Sequence, residues 1–172
     1  MSIDYYMAID PGRATGVAIG RVNPQRPLEI IFTAIIPGGT EAFIDWLEKT
    51  NNGKYITELD CMKNFPEEYD NIDFHLDAIC ETFRLRGGVI SPDLEALRIE
   101  GVLMDRFGNT VHWQNPSDKS LVGDDFLREN DLWLTGKDVD HQDGRDANDA
   151  LLHLFAYMMK QRHLPTLEAY WR

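Results

Sequence analysis

Three β-prone runs joined by short turns open the chain, and they constrain its fold more than any other feature. The first run, residues 3–10, ends at the turn signal Pro11-Gly12, and the second, residues 15–21, consists mainly of small and β-branched residues. Two prolines bracket the next turn, which precedes a third run at residues 28–36. Strands joined by such short connections pair antiparallel, so the sequence predicts a three-stranded meander.

Helical and strand-like segments alternate after this meander. Helices are predicted at residues 40–49, 72–86, 92–107, 117–129 and 145–162, short strands at 55–59 and 110–114, and an exposed acidic loop at 60–72. The order predicts one α/β domain over residues 1–172, with a mixed five-stranded sheet flanked by helices. Its first three strands are antiparallel and the last two parallel, an order similar to that of the ribonuclease H-like fold.

Composition indicates a globular protein that functions in the cytoplasm. Hydrophobic residues make up 43% of the 172 residues and charged residues 27%. No apolar run approaches the roughly 18 residues of a membrane span, and the first residues lack the pattern of a secretory signal. Cys61 and Cys80 are too few for a disulfide framework or a zinc site.

The net charge of −12 restricts the partners that the chain can have. Residues 41–82 hold 11 acids and 3 bases, and residues 116–149 hold 10 acids and 4 bases. This balance argues against nonspecific binding to nucleic acid, which depends on Lys and Arg meeting phosphates. It is compatible with a bound cation, which needs concentrated carboxylates and reverses the local field.

Asp10 is the first candidate for such a site. It ends an apolar strand, where a carboxylate has buried neighbours and needs a partner or a cation. Gly12 and Gly16 permit a tight hairpin directly after it. The alternative is a turn aspartate that caps the hairpin through a backbone hydrogen bond.

The final predicted helix carries two further acids. Asp146 and Asp149 are three residues apart, so they share a helix face, and that face borders the apolar stripe that would pack on the sheet. Both lie near the start of the helix, where the helix dipole favours negative charge by about 0.3–1 kcal/mol. They therefore suit either a ligand site or the stabilisation of a helix start.

Glu58 completes the predicted set of carboxylates. It lies near the end of the predicted strand 55–59, which we place beside the strand of Asp10. Glu100 is a weaker candidate because its segment has a helical pattern, and a contribution from Asp60 stays open. Four oxygen donors suit Mg²⁺ or Mn²⁺, and two such ions would support phosphodiester hydrolysis.

Two motifs of the chain resemble RuvC-type Holliday junction resolvases. Residues 9–12 (IDPG) with Thr15-Gly16 resemble the opening hairpin of that family, and residues 146–151 (DANDAL) resemble its closing helix. Residues 113–119 are similar to its P-x-x-x-K segment. The resemblance implies a homodimeric, Mg²⁺-dependent endonuclease of phage or bacterial type that cuts branched DNA. The family's acids would then correspond to Asp10, Glu58, Asp146 and Asp149.

Several other residues have a functional and a structural interpretation. Lys119, Arg13 and Arg145 are candidates for DNA contacts or ordinary solvated side chains. His153 is a candidate for a residue that orients one of the acids or carries a proton, and otherwise a packed histidine. Other functions stay open. The chain could be a nuclease for flaps or RNA–DNA hybrids, a phosphate-binding module like those of actin-like proteins, or a non-catalytic scaffold with this fold.

Overall fold

A mixed five-stranded sheet forms the centre of the protein. The computed structural model describes residues 2–64, 73–83 and 94–171. The strands are β1 (Ser2–Asp10), β2 (Ala14–Asn23), β3 (Arg26–Pro37), β4 (Asp73–Glu81) and β5 (Val111–Gln114). They are ordered β3-β2-β1-β4-β5, with the first three antiparallel and β4 and β5 parallel to β1. The predicted fold class and meander are confirmed.

Helices cover both faces of this sheet. They are α1 (Gly39–Lys49), α2 (Lys54–Asn64), α3 (Glu95–Phe107), α4 (Asp124–Glu129), α5 (Arg145–Lys160) and α6 (Leu164–Tyr170). Apolar residues of α1, α2 and α3 share one core with the sheet, and those of α4 and α5 form a second core on the opposite face, against which Tyr170 of α6 packs. In the described parts of the chain no helix has the length and apolar character needed to cross a bilayer.

The predicted strand at residues 55–59 is wrong, because these residues lie in α2. The side chains of Thr57 and Cys61 are four residues apart and both buried, so they form one helix face against the sheet. Cys61 also contacts the hydroxyl of Tyr5 on β1, at 3.0 Å. The β-prone composition of residues 55–57 is thus overridden by a helical stripe that continues beyond them.

The predicted helix at residues 72–86 is also wrong where the structure describes it. Residues 73–81 form β4, which lies between β1 and β5. Ala78 and Cys80 pack into the core under α1 to α3, and Ile79 packs into the opposite core. Periodicity does not distinguish the short buried run 78–80 from a buried helix, but the alternation of polar and apolar residues over 73–78 is a strand signal that the sequence analysis missed.

The remaining predicted elements differ mainly in their limits. The predicted helix 117–129 is divided into a 3₁₀ turn at Asp118–Leu121 and α4, with Gly123 between them at φ 79°. The long final helix ends at Lys160, two residues earlier than predicted. Of the predicted loop 60–72, residues 60–64 belong to α2, and the others before 73 lie outside the described residues, as do 84–86.

Candidate metal centre

The carboxyl ends of the three parallel strands meet at one edge of the sheet. Asp10, Glu81 and Gln114 are the last residues of β1, β4 and β5. Ile9 pairs with Cys80, and Glu81 pairs with Gln114, so the three residues are neighbours across the sheet. Strand alternation directs them to the face that α5 covers, because Ala8 and Ile79, two residues earlier, belong to that core.

Gly16 allows α5 to approach this edge. It pairs with Asp10 in the β1–β2 ladder. A Cβ atom on Gly16 would lie 1.9 Å from the carbonyl oxygen of Asp146, which no side chain tolerates. The glycine of the Thr15-Gly16 motif is therefore needed to bring the first turn of α5 against the strand next to Asp10.

Asn148 of the motif and Asp143, just before the helix, hold the start of α5. The buried Asn148 accepts a hydrogen bond from the Leu134 amide at 2.9 Å and donates one to the Leu134 carbonyl at 2.9 Å. Asp143 accepts a bond from the Arg145 amide at 3.0 Å, which satisfies one free amide of the first turn. These contacts fix the helix start, and with it Asp146 and Asp149.

Lys119 places a positive charge among the carboxylates. Its Nζ lies 2.8 Å from Asp149 Oδ2, 3.4 Å from Glu81 Oε2 and 4.0 Å from Asp10 Oδ1. The adjacent Asp118 is paired with Lys160 of α5 and accepts a bond from the Asn115 amide at 2.9 Å. The 3₁₀ turn is thereby tethered to α5, and this contact keeps Lys119 at the site.

His153 lies beneath the carboxylates and is fully buried. Its Nε2 is 2.7 Å from Glu81 Oε2, and its Nδ1 is 2.6 Å from Gln114 Oε1. Gln114 also donates through Nε2 to the backbone carbonyl of His153 at 3.2 Å. That His153 orients one of the acids stays a prediction, but the contact with a carboxylate that this role requires is present.

The charges of the cluster are imperfectly balanced. Burial raises the pKa of Asp10 to about 8; the Lys119 ammonium opposes this rise, and Asp149, Glu81 and Asp146 add to it. Burial, together with Asp143 and Asp149, also raises the pKa of Asp146. Against the effect of burial, the His153 hydrogen bond and the Lys119 charge lower the pKa of Glu81. Negative charge at this edge thus exceeds what Lys119 neutralises.

These donors fit a divalent cation. One ligand atom each from Asp10, Glu81 and His153 lies within 4.8 Å of the others, so a single ion could contact all three. The burial of Asp10 and its proximity to Asp149, Glu81 and Asp146, which together raise its pKa, create an environment in which a bound cation is stabilising. The structure thus brings together Asp10, Asp146 and Asp149 of the predicted set, adjacent to Glu81.

Glu58 is not part of this cluster. It lies on α2, which packs on the sheet face opposite to α5. The glutamate beside Asp10 is Glu81, which the sequence analysis missed. The sequence did contain a pattern that indicates Glu81, because this residue follows the apolar run 78–80 as Asp10 follows its own apolar strand residues. The helical interpretation of residues 72–86 concealed that signal.

The two weaker carboxylate candidates have other partners. Glu100 lies on α3 and accepts a hydrogen bond from the Phe83 amide, just after β4. Asp60 lies on α2, where it is paired with Arg21 at 2.7 Å and accepts a bond from the Tyr5 hydroxyl at 2.8 Å. The helices α2 and α3 pack on the sheet face opposite to α5, and these contacts account for both carboxylates structurally.

The two arginines predicted to contact DNA lie at the rim of the site. Arg13 is exposed in the turn that follows Asp10, and its backbone carbonyl accepts bonds from the amides of Gly38 and Gly39. Arg145 is exposed at the first position of α5, next to Asp146. Their contacts with DNA stay predictions.

Lys119 is expected to stabilise the protein when no metal is bound. Lys119→Met leaves the carboxylates of Asp10, Glu81 and Asp149 without their cation, so we expect the free energy of unfolding in EDTA to fall by about 1–3 kcal/mol. Thermal unfolding of the chelated protein measures the effect, with Lys119→Arg as the charge-retaining control. Equal melting temperatures of the wild type and Lys119→Met would contradict this role.

Comparison with known proteins identifies the fold. The sequence matches no protein-family model and no curated protein. A Thermus thermophilus RuvC structure aligns with 92% of this chain and 95% of its own, with a TM-score of 0.52 and 10% identity. T. thermophilus RuvC in complex with a Holliday junction substrate aligns with 94% and 97%, with a TM-score of 0.49 and 11% identity. The former likeness shows that the fold is RuvC-like, within the ribonuclease H-like class.

Proposed function

We propose that the protein is a metal-dependent endonuclease that hydrolyses phosphodiester bonds in branched DNA. The observation that carries the proposal is the convergence of Asp10, Glu81, Asp146 and Asp149 at one edge of a RuvC-like sheet. Such a set of oxygen donors is suited to Mg²⁺ or Mn²⁺. Two of these ions, when bound, would activate a water and neutralise the developing charge on the leaving oxygen.

The side chains of the cluster have separate tasks in this reaction. Asp10 and Glu81 end adjacent strands, so they provide a rigid base for the cations. Asp146 and Asp149 enter from α5 and hold the opposite side. Lys119, now paired with Asp149, is free to move to a phosphate oxygen once cations take over the neutralisation of the carboxylates.

The choice of branched DNA rests on the motifs together with the fold. The IDPG and DANDAL motifs resemble those of junction resolvases. The first lies at the end of β1 and the second at the start of α5, at the same edge of the sheet. With a net charge of −12, the chain needs local positive charge to hold DNA. Lys119, Arg13, Arg145 and the bound cations would supply it. A homodimer in the cytoplasm of a bacterial or phage-infected cell belongs to the same proposal.

A cleavage assay with matched substrates tests this function. A four-way junction, a flap, an RNA–DNA hybrid and a linear duplex of shared sequence are incubated with the protein and Mg²⁺ or Mn²⁺. We expect the four-way junction to be cut fastest, and chelation with EDTA to stop the reaction. If the hybrid or the flap is cut fastest, that molecule and not branched DNA is the substrate. If no substrate is cut, the proposal is overturned.

A further inference from the structure

The surroundings of His153 differ from those of a packed core histidine. It is fully buried on α5, four residues after Asp149 and therefore on the same helix face. One of its ring nitrogens faces Gln114 and the other faces Glu81, at 2.6 and 2.7 Å. Its Nε2 therefore points at the carboxylates instead of at apolar neighbours.

Gln114 sets which nitrogen of His153 is available to a ligand. Its Nε2 donates to the His153 carbonyl, so its Oε1 is the atom that faces Nδ1 of the ring. Nδ1 must then carry a hydrogen and donate it to Gln114. This hydrogen bond leaves Nε2 as the atom that binds a cation, since a histidine ligand commonly donates its other N–H to such a partner.

The position of Nε2 relative to the carboxylates matches a shared ion. Asp10, Glu81 and His153 each offer a ligand atom, and these atoms lie within 4.8 Å of one another. Ligand atoms about 2.2 Å from one ion lie at most about 4.4 Å apart, so these atoms need to move by no more than a few tenths of an ångström to share an ion. The ring is held in place by the packing of α5 against the sheet, with Ala150, Leu154 and Tyr157 in the same core.

We infer that His153 is a direct metal ligand through Nε2, that Gln114 is its positioning residue, and that the Asp10–Glu81–His153 site selects Mn²⁺ over Mg²⁺. The inference rests on the metal centre of the proposed function and adds a nitrogen to its all-oxygen donor set. Imidazole suits transition metals, whereas Mg²⁺ prefers oxygen ligands and keeps several waters. When the metal binds, any proton that Nε2 shares with Glu81 is released to the solvent.

Pulsed EPR of the Mn²⁺-loaded protein tests the ligation directly, because a coordinated imidazole couples its nitrogen to the Mn²⁺ electron spin. We expect a ¹⁴N coupling in the wild type that becomes a ¹⁵N coupling in protein labelled with ¹⁵N-histidine. His153→Gln should remove the coupling. His112→Gln should keep it, since His112 is a half-buried histidine that pairs with Asp77 at 2.9 Å outside the site.

Calorimetric titration with Mn²⁺ and Mg²⁺ tests the selectivity of the same variants. We expect the ratio of Mn²⁺ to Mg²⁺ affinity to fall about tenfold or more in His153→Gln and to stay unchanged in His112→Gln. If His153→Gln does not fold, the wild-type spectrum decides whether a histidine binds Mn²⁺. The coupling should then persist in His141→Gln, which removes the histidine whose charge acts on Asp146.

The two proposals fail in different ways. Bound Mn²⁺ without nitrogen coupling, in a protein that still cuts DNA, overturns the role of His153 and leaves the nuclease proposal intact. The same holds for an affinity ratio that His153→Gln does not change. Absence of both Mn²⁺ binding and DNA cleavage overturns this inference together with the proposed function.

Discussion

Glu81→Gln is expected to abolish metal-dependent cleavage while leaving the fold intact. Glu81 is the last residue of β4, and its carboxylate contacts both His153 and Lys119. Glutamine keeps the size of the side chain and removes its charge, so cation binding and neutralisation of the transition state are lost. We expect the cleavage rate of the four-way junction to fall by at least about 10²–10³-fold, measured under single-turnover conditions with Mn²⁺.

Glu58→Gln is the matched control for this prediction. It makes the same chemical change on α2, on the other face of the sheet, where we expect cleavage to be unchanged and the free energy of unfolding to change by less than about 0.5 kcal/mol. An inactive Glu58→Gln variant beside an active Glu81→Gln variant would contradict the assignment of the site. Far-UV circular dichroism of both variants establishes that they are folded.

Asp10→Asn is expected to stabilise the metal-free protein. The pKa of Asp10 is raised to about 8 in the folded state, from 3.8 without these surroundings. The folded state therefore binds more protons than the unfolded state between these pH values, and the wild type loses stability as pH rises from about 4 to about 8. Asparagine does not titrate, so the gain from the substitution should grow over this window.

The expected gain near pH 8 is at least about 2 kcal/mol, or roughly 4–8 °C in melting temperature for a chain of this size. Thermal unfolding in EDTA at several pH values measures it. Added Mn²⁺ should then stabilise the wild type, by about 2.7 kcal/mol at a concentration of 100 times Kd, and leave Asp10→Asn nearly unchanged. A melting-temperature difference that does not depend on pH would show that Asp10 is not under this electrostatic strain.

The local signals of the chain were enough to predict the fold class and three of the carboxylates that the structure brings together at the sheet edge. The meander follows from short turns between β-prone runs, and α5 follows from a long apolar stripe that starts after a loop. Asp10 is the end of an apolar strand, and Asp146 and Asp149 share a helix face. Each of these interpretations depends on residues within one element or on elements that follow one another in the chain.

Gly16 is a motif residue whose role depends on a contact with a distant part of the chain. The sequence suggested a glycine for a tight hairpin, whereas in the structure it admits the backbone of α5 at Asp146. The motif residues of the hairpin and of the helix are thus parts of one contact, although more than a hundred positions separate them. No pattern within either motif contains this information.

What the sequence by itself determined is therefore the fold class, the meander, and the acids at the end of β1 and near the start of α5. Only the tertiary structure decided that Glu81, and not Glu58, stands beside Asp10, and that His153 and Gln114 lie beneath it. The alternation of polar and apolar residues over 73–78 was a local signal for β4, but it did not indicate which strand β4 pairs with. Its pairing with β1 joins segments far apart in the chain, and such a contact depends on packing rather than on local propensity.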